Sequence, residues 1–324
     1  MKMARLIAAW CAACCFSAAN AIAQDAQNYP NKPIRIIVPV PPGGGVDALA
    51  RLVGEHLRSK WSQPVLIENR GGFGGNIGAE AVFRAEPDGY TLLFTSGAVL
   101  VTNKLLYSKL NYDPDLLAPI ALVAFNYNAL IVTPKIGADS VQKFIALAKA
   151  KPESLHYASP GSGSGSHLTA ELFKAMGGIS MAHIPYKGTA PAMTDLFAGE
   201  VAATFGELGS FLPHIRSGKL RILAITGEKR IATLPEVPAM NEILPGFLSK
   251  PWTGMVAPPK TPNLIAQKIS TAVAEGLKQP ETAKRLAERQ IEAVGGSPEE
   301  MSLFIRQELE RWGKIIRAIG VKAD

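Results

Sequence analysis

The sequence is poor in cysteine, in long apolar runs and in clustered histidine, and each shortage excludes a class of protein. Its three cysteines, Cys11, Cys14 and Cys15, all lie near the start of the chain. No later apolar run reaches the roughly 20 residues that a membrane-spanning helix needs. The five histidines are too scattered for a metal motif such as H-E-x-x-H. We therefore expect no metal site and no polytopic membrane protein.

The sequence also lacks the motifs of common catalytic and nucleic-acid-binding proteins. It contains neither the phosphate-binding pattern G-x-x-x-x-G-K-[ST] nor the hydrolase pattern G-x-S-x-G. Its 34 Lys and Arg residues against 27 Asp and Glu residues give a net charge of +7. This charge is spread thinly, without the basic block that marks a nucleic-acid-binding or membrane-binding surface. We predict a protein without enzymatic activity, cofactor or nucleic-acid partner.

Residues 1–23 have the pattern of a cleavable secretory signal peptide. Two basic residues, Lys2 and Arg5, precede an apolar run, and Ala21-Ile22-Ala23 fits an A-x-A cleavage site. All three cysteines belong to this segment, so the mature chain predicted to start at Gln24 has no disulfide and no reactive thiol. The sequence therefore predicts an exported protein, cleaved near Ala23.

From Lys32 onward, β-branched runs alternate with amphipathic stretches of helical periodicity. Runs over 34–38, 65–68 and 90–95 enclose two such stretches. This βαβαβ order indicates a mainly parallel sheet with helices on both faces. A second alternating set begins near Leu130 and continues to residue 226. The sequence therefore predicts an α/β fold with two doubly wound units.

The C-terminal tail is expected to connect the two units a second time. It adds an apolar run from Trp252 and two long helices, the second opened by a capping box at Ser297. An apolar stripe on that helix must pack against one unit, and a return to the first unit would make the chain cross twice and form a hinge. We predict domain 1 over 31–125 and 248–324, and domain 2 over 126–247.

Glycine-rich segments lie where predicted strands lead into predicted helices. In open parallel sheets, ligands bind at these carboxyl ends of strands. The first segment, Pro41-Pro42-Gly43-Gly44-Gly45, precedes a helix that begins near Val46. Consecutive glycines let backbone N–H groups form a concave nest, and the helix N-terminus adds partial positive charge. We expect an anion there; the alternative is a tight turn without a ligand.

The second segment, Gly161-Ser162-Gly163-Ser164-Gly165-Ser166, adds three hydroxyl groups to a similar helix start. Because the two segments come from different units, a ligand with a carboxylate at each would bridge the cleft between them. Ser166 is predicted to be the helix N-cap, which leaves the hydroxyls of Ser162 and Ser164 freer for a ligand. His167 is either a donor into the cleft or a packed residue.

Short motifs in a fixed order carry a resemblance to a known family. They are Ile36 to Gly44, Glu68-Asn69-Arg70, Gly74 to Gly78, Pro87 to Leu93, Pro185 to Gly188 and Leu234 to Pro238. On these motifs, which extend over nearly all of the mature chain, the protein resembles the Bug family, the TctC-type extracytoplasmic receptors of tripartite tricarboxylate transporters. The resemblance implies a periplasmic, type II two-domain binding protein that closes like a flytrap. It also implies integral-membrane transporter subunits as partners, and we expect a monomer.

The resemblance and the anion-nest argument place the ligand on the same loops. The resemblance implies a carboxylate held by the loop from Pro42 to Asp47, with further contacts near Ser96, Ser162 and Tyr186. The predicted ligand contacts are Pro42, Gly43, Gly44, Gly45, Asp47, Ser96, Gly97, Gly161, Ser162, Ser164, His167, Tyr186 and Glu207. The predicted ligand is a small organic carboxylate: a di- or tricarboxylate, an acidic amino acid or an aromatic acid.

Glu207, just after a predicted strand, has two interpretations. If it faces the cleft, it accepts an ammonium or hydroxyl group from the ligand, and like-charge repulsion then disfavours a plain dicarboxylate. The alternative, which we favour from sequence, is a solvated residue on a loop.

Two other functions stay open at this point. Gly43-x-Gly45-x-x-Ala48 fits a dinucleotide fingerprint, with Glu68 about 25 residues on, and would make the protein an exported oxidoreductase. Its two neighbouring prolines stiffen the turn that a pyrophosphate would approach. A sensor subunit that passes its ligand state to a membrane kinase would use the same site residues as a transport receptor.

Overall fold

The computed structural model describes residues 27–152 and 154–322. The predicted signal peptide and its cleavage site therefore lie outside the described residues. Over those two ranges, none of the helices combines the length and the hydropathy that a membrane span requires.

Eleven strands and ten α-helices lie within the described residues, besides short 3₁₀ and π segments. The strands are β1 (Ile34–Val38), β2 (Val65–Asn69), β3 (Thr91–Ser96), β4 (Ala118–Asn126), β5 (Asn128–Val132), β6 (His156–Ser159), β7 (Ala182–Pro185), β8 (Ala203–Glu207), β9 (Arg221–Ile225), β10 (Trp252–Ala257) and β11 (Ile291–Ala293). The helices are α1 (Gly45–Trp61), α2 (Asn76–Phe83), α3 (Asn103–Leu106), α4 (Val141–Ala150), α5 (Gly165–Gly177), α6 (Thr189–Ala198), α7 (Leu208–Arg216), α8 (Asn263–Leu277), α9 (Pro280–Glu288) and α10 (Pro298–Ile319).

These strands form two separate sheets. The first has six strands in the order β11-β4-β10-β3-β1-β2, and the second has five in the order β7-β6-β8-β5-β9. In the first sheet β1 is parallel to β2 and β3, and in the second β6 is parallel to β7 and β8. The predicted α/β fold with two doubly wound units is confirmed.

Both sheets contain antiparallel strands, so the sequence prediction of mainly parallel sheets was too simple. β10 runs antiparallel to β3 and β4, and β5 runs antiparallel to β8 and β9. Both strands start where the chain enters a sheet from the other unit. Because the chain enters at the edge where the parallel strands end, the new strand has to run in the opposite direction.

Apolar clusters cover both faces of each sheet. On one face of the first sheet, Leu49 and Val53 of α1 pack with Ile36 of β1 and with helix α8. On the other face, Trp312 and Ile316 of α10 pack against the same sheet. The stripe predicted on the last helix therefore belongs to the first unit, as a discontinuous domain requires. Each sheet is buried between helical layers, which fixes the strand ends on which the site depends.

The chain crosses between the sheets twice, at neighbouring points. β4 ends at Asn126 and β5 begins at Asn128, so Tyr127 alone separates the sheets at the first crossing. The second crossing precedes β10, where Ser249 N–H donates to the Thr226 carbonyl at 3.0 Å. The predicted bounds at 125/126 and 247/248 lie beside these crossings, and as exact domain limits they stay a prediction.

A polar cluster joins the two crossings. Lys250 lies 2.8 Å from the Glu292 carboxylate of β11, and the Tyr127 hydroxyl donates to the same carboxylate at 2.9 Å. Lys250 also lies over the Phe125 ring, 4.1 Å from its centroid. Tyr127 from the first crossing and Lys250 from the second are thereby attached to Glu292 of the first sheet. These neighbouring crossings define the hinge between the two units.

Candidate ligand-binding site

The strand ends that carry the predicted site residues border one cleft. In the first sheet β3 ends at Ser96, which pairs with Thr253 at the start of β10. In the second sheet Asn128, the first residue of β5, pairs with Glu207, the last residue of β8. Because only Tyr127 separates the two sheets at the first crossing, the edge with Ser96 is joined directly to the edge with Glu207.

The first glycine loop is held in place by the carboxylate of Asp47. Gly43 has a φ of +91°, a conformation that glycine adopts without strain, and its N–H donates to Oδ2 of Asp47 at 2.9 Å. Arg51 donates to both carboxylate oxygens at 3.0 Å. Asn69 of β2 donates to Oδ1 at 2.9 Å and to the Val40 carbonyl at 3.0 Å. The predicted contact Asp47 is thus fully engaged in bracing the loop.

The pKa of the Asp47 carboxyl is lowered from its ordinary value. Burial alone would raise this pKa, because the side chain is only 3% exposed. The hydrogen bonds from Arg51, Gly43 and Asn69 outweigh that effect by stabilising the ionised form. The loop is therefore braced by a charged acceptor at neutral pH.

The second glycine loop is held by the ring of His167. Gly163 has a φ of +75°, and its N–H donates to Nδ1 of His167 at 3.0 Å. Helix α5 begins at Gly165, and the hydroxyl of Ser164 accepts from the N–H of His167 at 3.3 Å. The predicted N-cap, Ser166, was wrong: Ser164 caps the helix, because the helix starts two residues earlier than expected.

The two loops share the same hydrogen-bond arrangement although they differ in sequence. In each, a glycine of positive φ lies two residues before the helix, and its N–H is bound by the third helical residue, Asp47 or His167. The N–H groups of Gly43 and Gly163 are therefore used inside the protein. Those of Gly45 and Val46, in the first turn of α1, have no acceptor within the described ranges.

The space beside the loops is open. A Cβ built on Gly43, Gly44 or Gly165 would meet no atom within 4 Å. Pro42 and Ser162 are exposed on the same loops, and the structure assigns the Ser162 hydroxyl no hydrogen-bonding partner among the described residues. Backbone donors beside open space are what an anionic ligand requires.

Ser96 and Gly97 occupy different environments at the end of β3. Ser96 lies on the sheet face that also carries Leu92 and Phe94, which α1 covers. Gly97 has no room for a side chain, because an added Cβ would lie 2.8 Å from Cζ2 of Trp252. Ser96 is therefore placed toward the first loop, and Gly97 permits a close approach of the Trp252 ring.

Thr253 is a site candidate that the sequence analysis missed. It is fully buried, pairs with Ser96, and its hydroxyl has no hydrogen-bond partner among the described residues. It shares the face of Met255, under α1. The available signal was a threonine within the otherwise apolar run from Trp252 to Ala257, at the start of a strand.

Tyr186 lies beside the second loop, held by its own helix. Its hydroxyl donates to Asp195 of α6 at 2.6 Å, and desolvation together with this carboxylate raises the pKa of Tyr186 to about 12. A Cβ on Gly161, whose φ is +146°, would lie 3.7 Å from the Tyr186 carbonyl oxygen. The structure thus brings Gly161 and Tyr186 together at the cleft edge.

Glu207 faces the cleft, so the interpretation as a solvated loop residue was wrong. It ends β8, and its carboxylate leaves no room for a Cβ on Gly45, which would lie 2.6 Å from Oε1. Desolvation raises the pKa of this carboxyl, and the charge of Arg289 offsets only part of the effect. The carboxylate of the second unit therefore touches the N-terminal turn of α1.

A stack of three rings supports the second loop. The His167 and His183 rings are parallel within 7° with centroids 4.0 Å apart, and His183 stacks on Tyr157 at 4.9 Å. Nε2 of His183 lies 2.6 Å from the Ser159 hydroxyl. Of the two interpretations of His167, the structure therefore supports the packed residue. Its ring holds the loop by accepting the hydrogen bond from Gly163.

Acid is expected to destabilise this stack. Desolvation, and then the neighbouring His167, lower the pKa of His183 from 6.5 to about 4. Because the unfolded chain takes up protons first as the pH falls, stability that is present above pH 6.5 is lost toward pH 4, and about 2 kcal/mol of it is lost by pH 5. Urea unfolding at pH 7 and pH 5 measures this loss. His183→Phe should reduce the difference and His156→Gln, at an exposed position, should not; equal pH dependence in both variants would contradict the assignment.

Comparison with known proteins agrees with this geometry. The family model described as the tripartite tricarboxylate transporter family receptor, TctC, matches residues 49–321. Protein BugT of Bordetella pertussis is 37% identical over 301 residues, which is 92% of either chain. A UPF0065 protein from the tcbD-tcbE intergenic region of Pseudomonas sp. is 33% identical over 297 residues, or 91% of this chain and 88% of that one.

Solved structures show the same fold. Rpa4515 of R. palustris, solved with adipate, is 35% identical with a TM-score of 0.86, over 91% of this chain and 99% of that one. MatC of Rhodopseudomonas palustris, solved with bound malate, is 29% identical with a TM-score of 0.82, over 89% and 100%. The periplasmic binding protein BugD is 32% identical with a TM-score of 0.83, over 91% and 99%.

The family match extends from α1 to beyond the end of α10, and the relatives align over most of both chains. The resemblance drawn from the ordered sequence motifs is thereby confirmed. The type II flytrap fold is confirmed by the likeness to periplasmic binding proteins. This chain belongs to the TctC family of tripartite tricarboxylate transporter receptors, which includes the Bug proteins.

Proposed function

We propose that this protein is a periplasmic receptor that captures a small organic carboxylate between its two units and delivers it to a tripartite tricarboxylate-type membrane transporter. The observation that best supports this proposal is the pair of braced glycine loops, one in each unit, each leading into a helix N-terminus. Neither unit alone would enclose a ligand, whereas the hinge at Tyr127 allows the two to close on it.

The energetics favour binding by closure. An exposed helix N-terminus contributes only about 0.3–1 kcal/mol to anion binding. A charge-assisted hydrogen bond in a closed site contributes about 1.5–3 kcal/mol. Micromolar affinity corresponds to about −8 kcal/mol, which several such bonds supply once water is excluded. The affinity therefore depends on both loops engaging the ligand together.

The two other functions considered from sequence receive less support. In the oxidoreductase alternative, a pyrophosphate would bind at Gly43, but the N–H of Gly43 is already bound by Asp47. The chain also belongs to a family described as transporter receptors. A sensor for a membrane kinase would use the same site, and deletion of the gene distinguishes the two roles: loss of ligand uptake supports transport, whereas unchanged uptake supports sensing.

A binding screen tests the receptor function. Di- and tricarboxylates, amino acids and aromatic acids are added to the purified protein, and the midpoint of thermal unfolding is measured, with titration calorimetry for the hits. A ligand that binds only the folded protein raises the midpoint by mass action. At least one carboxylate should do so, and stabilisation by NAD alone would reverse the assignment.

Gly44→Val tests the first loop directly. Gly44 has an extended conformation, with φ of −79° and ψ of 173°, and a Cβ there meets no atom within 4 Å. The valine therefore fits the fold but occupies the space beside the helix N-terminus. We expect about tenfold weaker binding of the carboxylate identified in the screen, by loss of about one charge-assisted hydrogen bond. Gly177→Ala, at the far end of α5, is the control, and wild-type affinity of a folded Gly44→Val would contradict the site.

A further inference from the structure

Glu207 lies on the face of the second sheet from which the second glycine loop extends. Ala203 and Phe205 of β8 belong to the apolar cluster that includes Phe173 of α5. Glu207 lies two residues beyond Phe205 on the same strand, so it occupies the same face. The second glycine loop is the start of α5. The carboxylate is therefore on the side of the sheet that this loop borders.

The same carboxylate reaches the first glycine loop in the other unit. Its oxygens occupy the position that a side chain on Gly45 would need, and Gly45 is the first residue of α1. Glu207 thus lies on the face of its own sheet that α5 covers, and its carboxylate meets the helix start of the opposite unit. A ligand that bridges the two loops has to pass beside it.

Glu207 differs from Glu292 and Glu171 in having no cation or hydrogen-bond donor paired with it among the described residues. Glu292 is paired with Lys250 and Tyr127, and Glu171 is paired with Lys174. Within 27–152 and 154–322, the structure gives the Glu207 carboxylate no hydrogen bond and no ion pair. The backbone carbonyl of Arg289 lies beside Gly209 of α7. The positive charge of the Arg289 side chain acts on Glu207 without a direct bond.

An ionised carboxylate removed from water is costly unless an opposite charge pairs with it. Desolvation raises the pKa of Glu207, which is what the absence of a partner predicts. The protein supplies backbone N–H groups for the anionic part of a ligand at Gly45 and Val46, next to this carboxylate. The remaining requirement is a cationic donor, and the ligand can bring it.

We propose that Glu207 is a specificity-determining residue and that the solute is an amino-carboxylate, whose ammonium group pairs with Glu207 while its carboxylate binds the loop amides. This inference rests on the proposed receptor function and narrows its ligand class. A plain di- or tricarboxylate would place a second negative charge beside Glu207, and like charges at short distance disfavour each other. A charge-assisted ammonium–carboxylate bond is among the stronger hydrogen bonds available.

Matched ligand pairs that differ in one amino group test the inference. Calorimetric titrations compare aspartate with succinate, glutamate with glutarate, and phenylalanine with 3-phenylpropionate, with citrate as a tricarboxylate. The amino member of at least one pair should bind wild-type protein about tenfold or more tightly than its partner. Glu207→Gln should bring that ratio close to one, because the amide keeps the shape and loses the charge. Glu236→Gln, which removes an exposed carboxylate of the second unit, should leave the ratio unchanged.

The wild-type comparison decides the question even if Glu207→Gln does not fold. Succinate, glutarate, 3-phenylpropionate or citrate binding at least as tightly as every amino acid tested would overturn the role of Glu207, while the carboxylate receptor would stand. An unchanged ratio in folded Glu207→Gln would overturn it as well. If neither these acids nor any other carboxylate of the screen binds, the receptor function itself is contradicted, together with this inference.

Discussion

Asp47→Ala is expected to lower the free energy of unfolding by about 3 kcal/mol and to weaken carboxylate binding by about a hundredfold. The substitution removes the acceptor of the Gly43 N–H and leaves the Asn69 amide and the Arg51 guanidinium without their common partner. The first loop then loses the hydrogen bond that fixes its positive-φ glycine. The backbone amides of α1 would no longer be held in position for a ligand.

Urea unfolding and calorimetric titration of the same preparations measure both effects of Asp47→Ala. Asp139→Ala is a matched control, because Asp139 also pairs with a basic residue four positions on, Lys143, but at an exposed site. It should change neither the unfolding midpoint nor the affinity appreciably. If Asp47→Ala binds its ligand as the wild type does, the first loop has no part in recognition.

Gly209→Val is expected to hold the cleft open and to weaken binding by about a hundredfold, since closure supplies most of the charge-assisted bonds. Gly209 lies in α7 of the second unit. A Cβ at this position would collide with the backbone of Arg289 in the first unit, 3.1 Å from its carbonyl carbon. Backbone atoms cannot move aside as a flexible side chain does, so the two units have to separate at this contact.

Small-angle X-ray scattering with and without ligand, together with calorimetry, tests the effect of Gly209→Val. The wild type should become more compact on adding ligand, and the variant should keep a larger radius of gyration. Ser210→Val, at the adjacent exposed position, is the control for a valine in the first turn of α7. Ligand-induced compaction of the variant equal to that of the wild type would show that this contact does not limit closure.

Local patterns predicted much of the fold and both loops. Alternation of β-branched and amphipathic runs depends only on near neighbours, and it led to the two α/β units. The glycines around Gly43 and Gly163 indicated helix starts with exposed amides. Ordered motifs from Ile36 onward led to the family, which the comparisons confirmed.

The roles of individual side chains were less predictable. Asp47 was predicted as a ligand contact, and only the folded chain shows that Asn69, on strand β2, shares its carboxylate. His167, in helix α5, had two interpretations because its stacking partner, His183, belongs to strand β7. Ser166 was chosen as the N-cap because Gly and Ser alternate here, so a shift of two residues in the helix start leaves the local pattern almost unchanged.

The amino-acid sequence by itself determined the α/β units, the two glycine-rich helix starts and the family, because all three depend on short motifs and on residues that are neighbours along the chain. Only the tertiary structure decided that Glu207 meets Gly45 and that Thr253 lies beside Ser96. Those contacts join segments far apart in sequence, and they depend on how the hinge crossings and the antiparallel β10 bring two sheet edges together. The chemistry of the cleft is therefore a property of the folded chain.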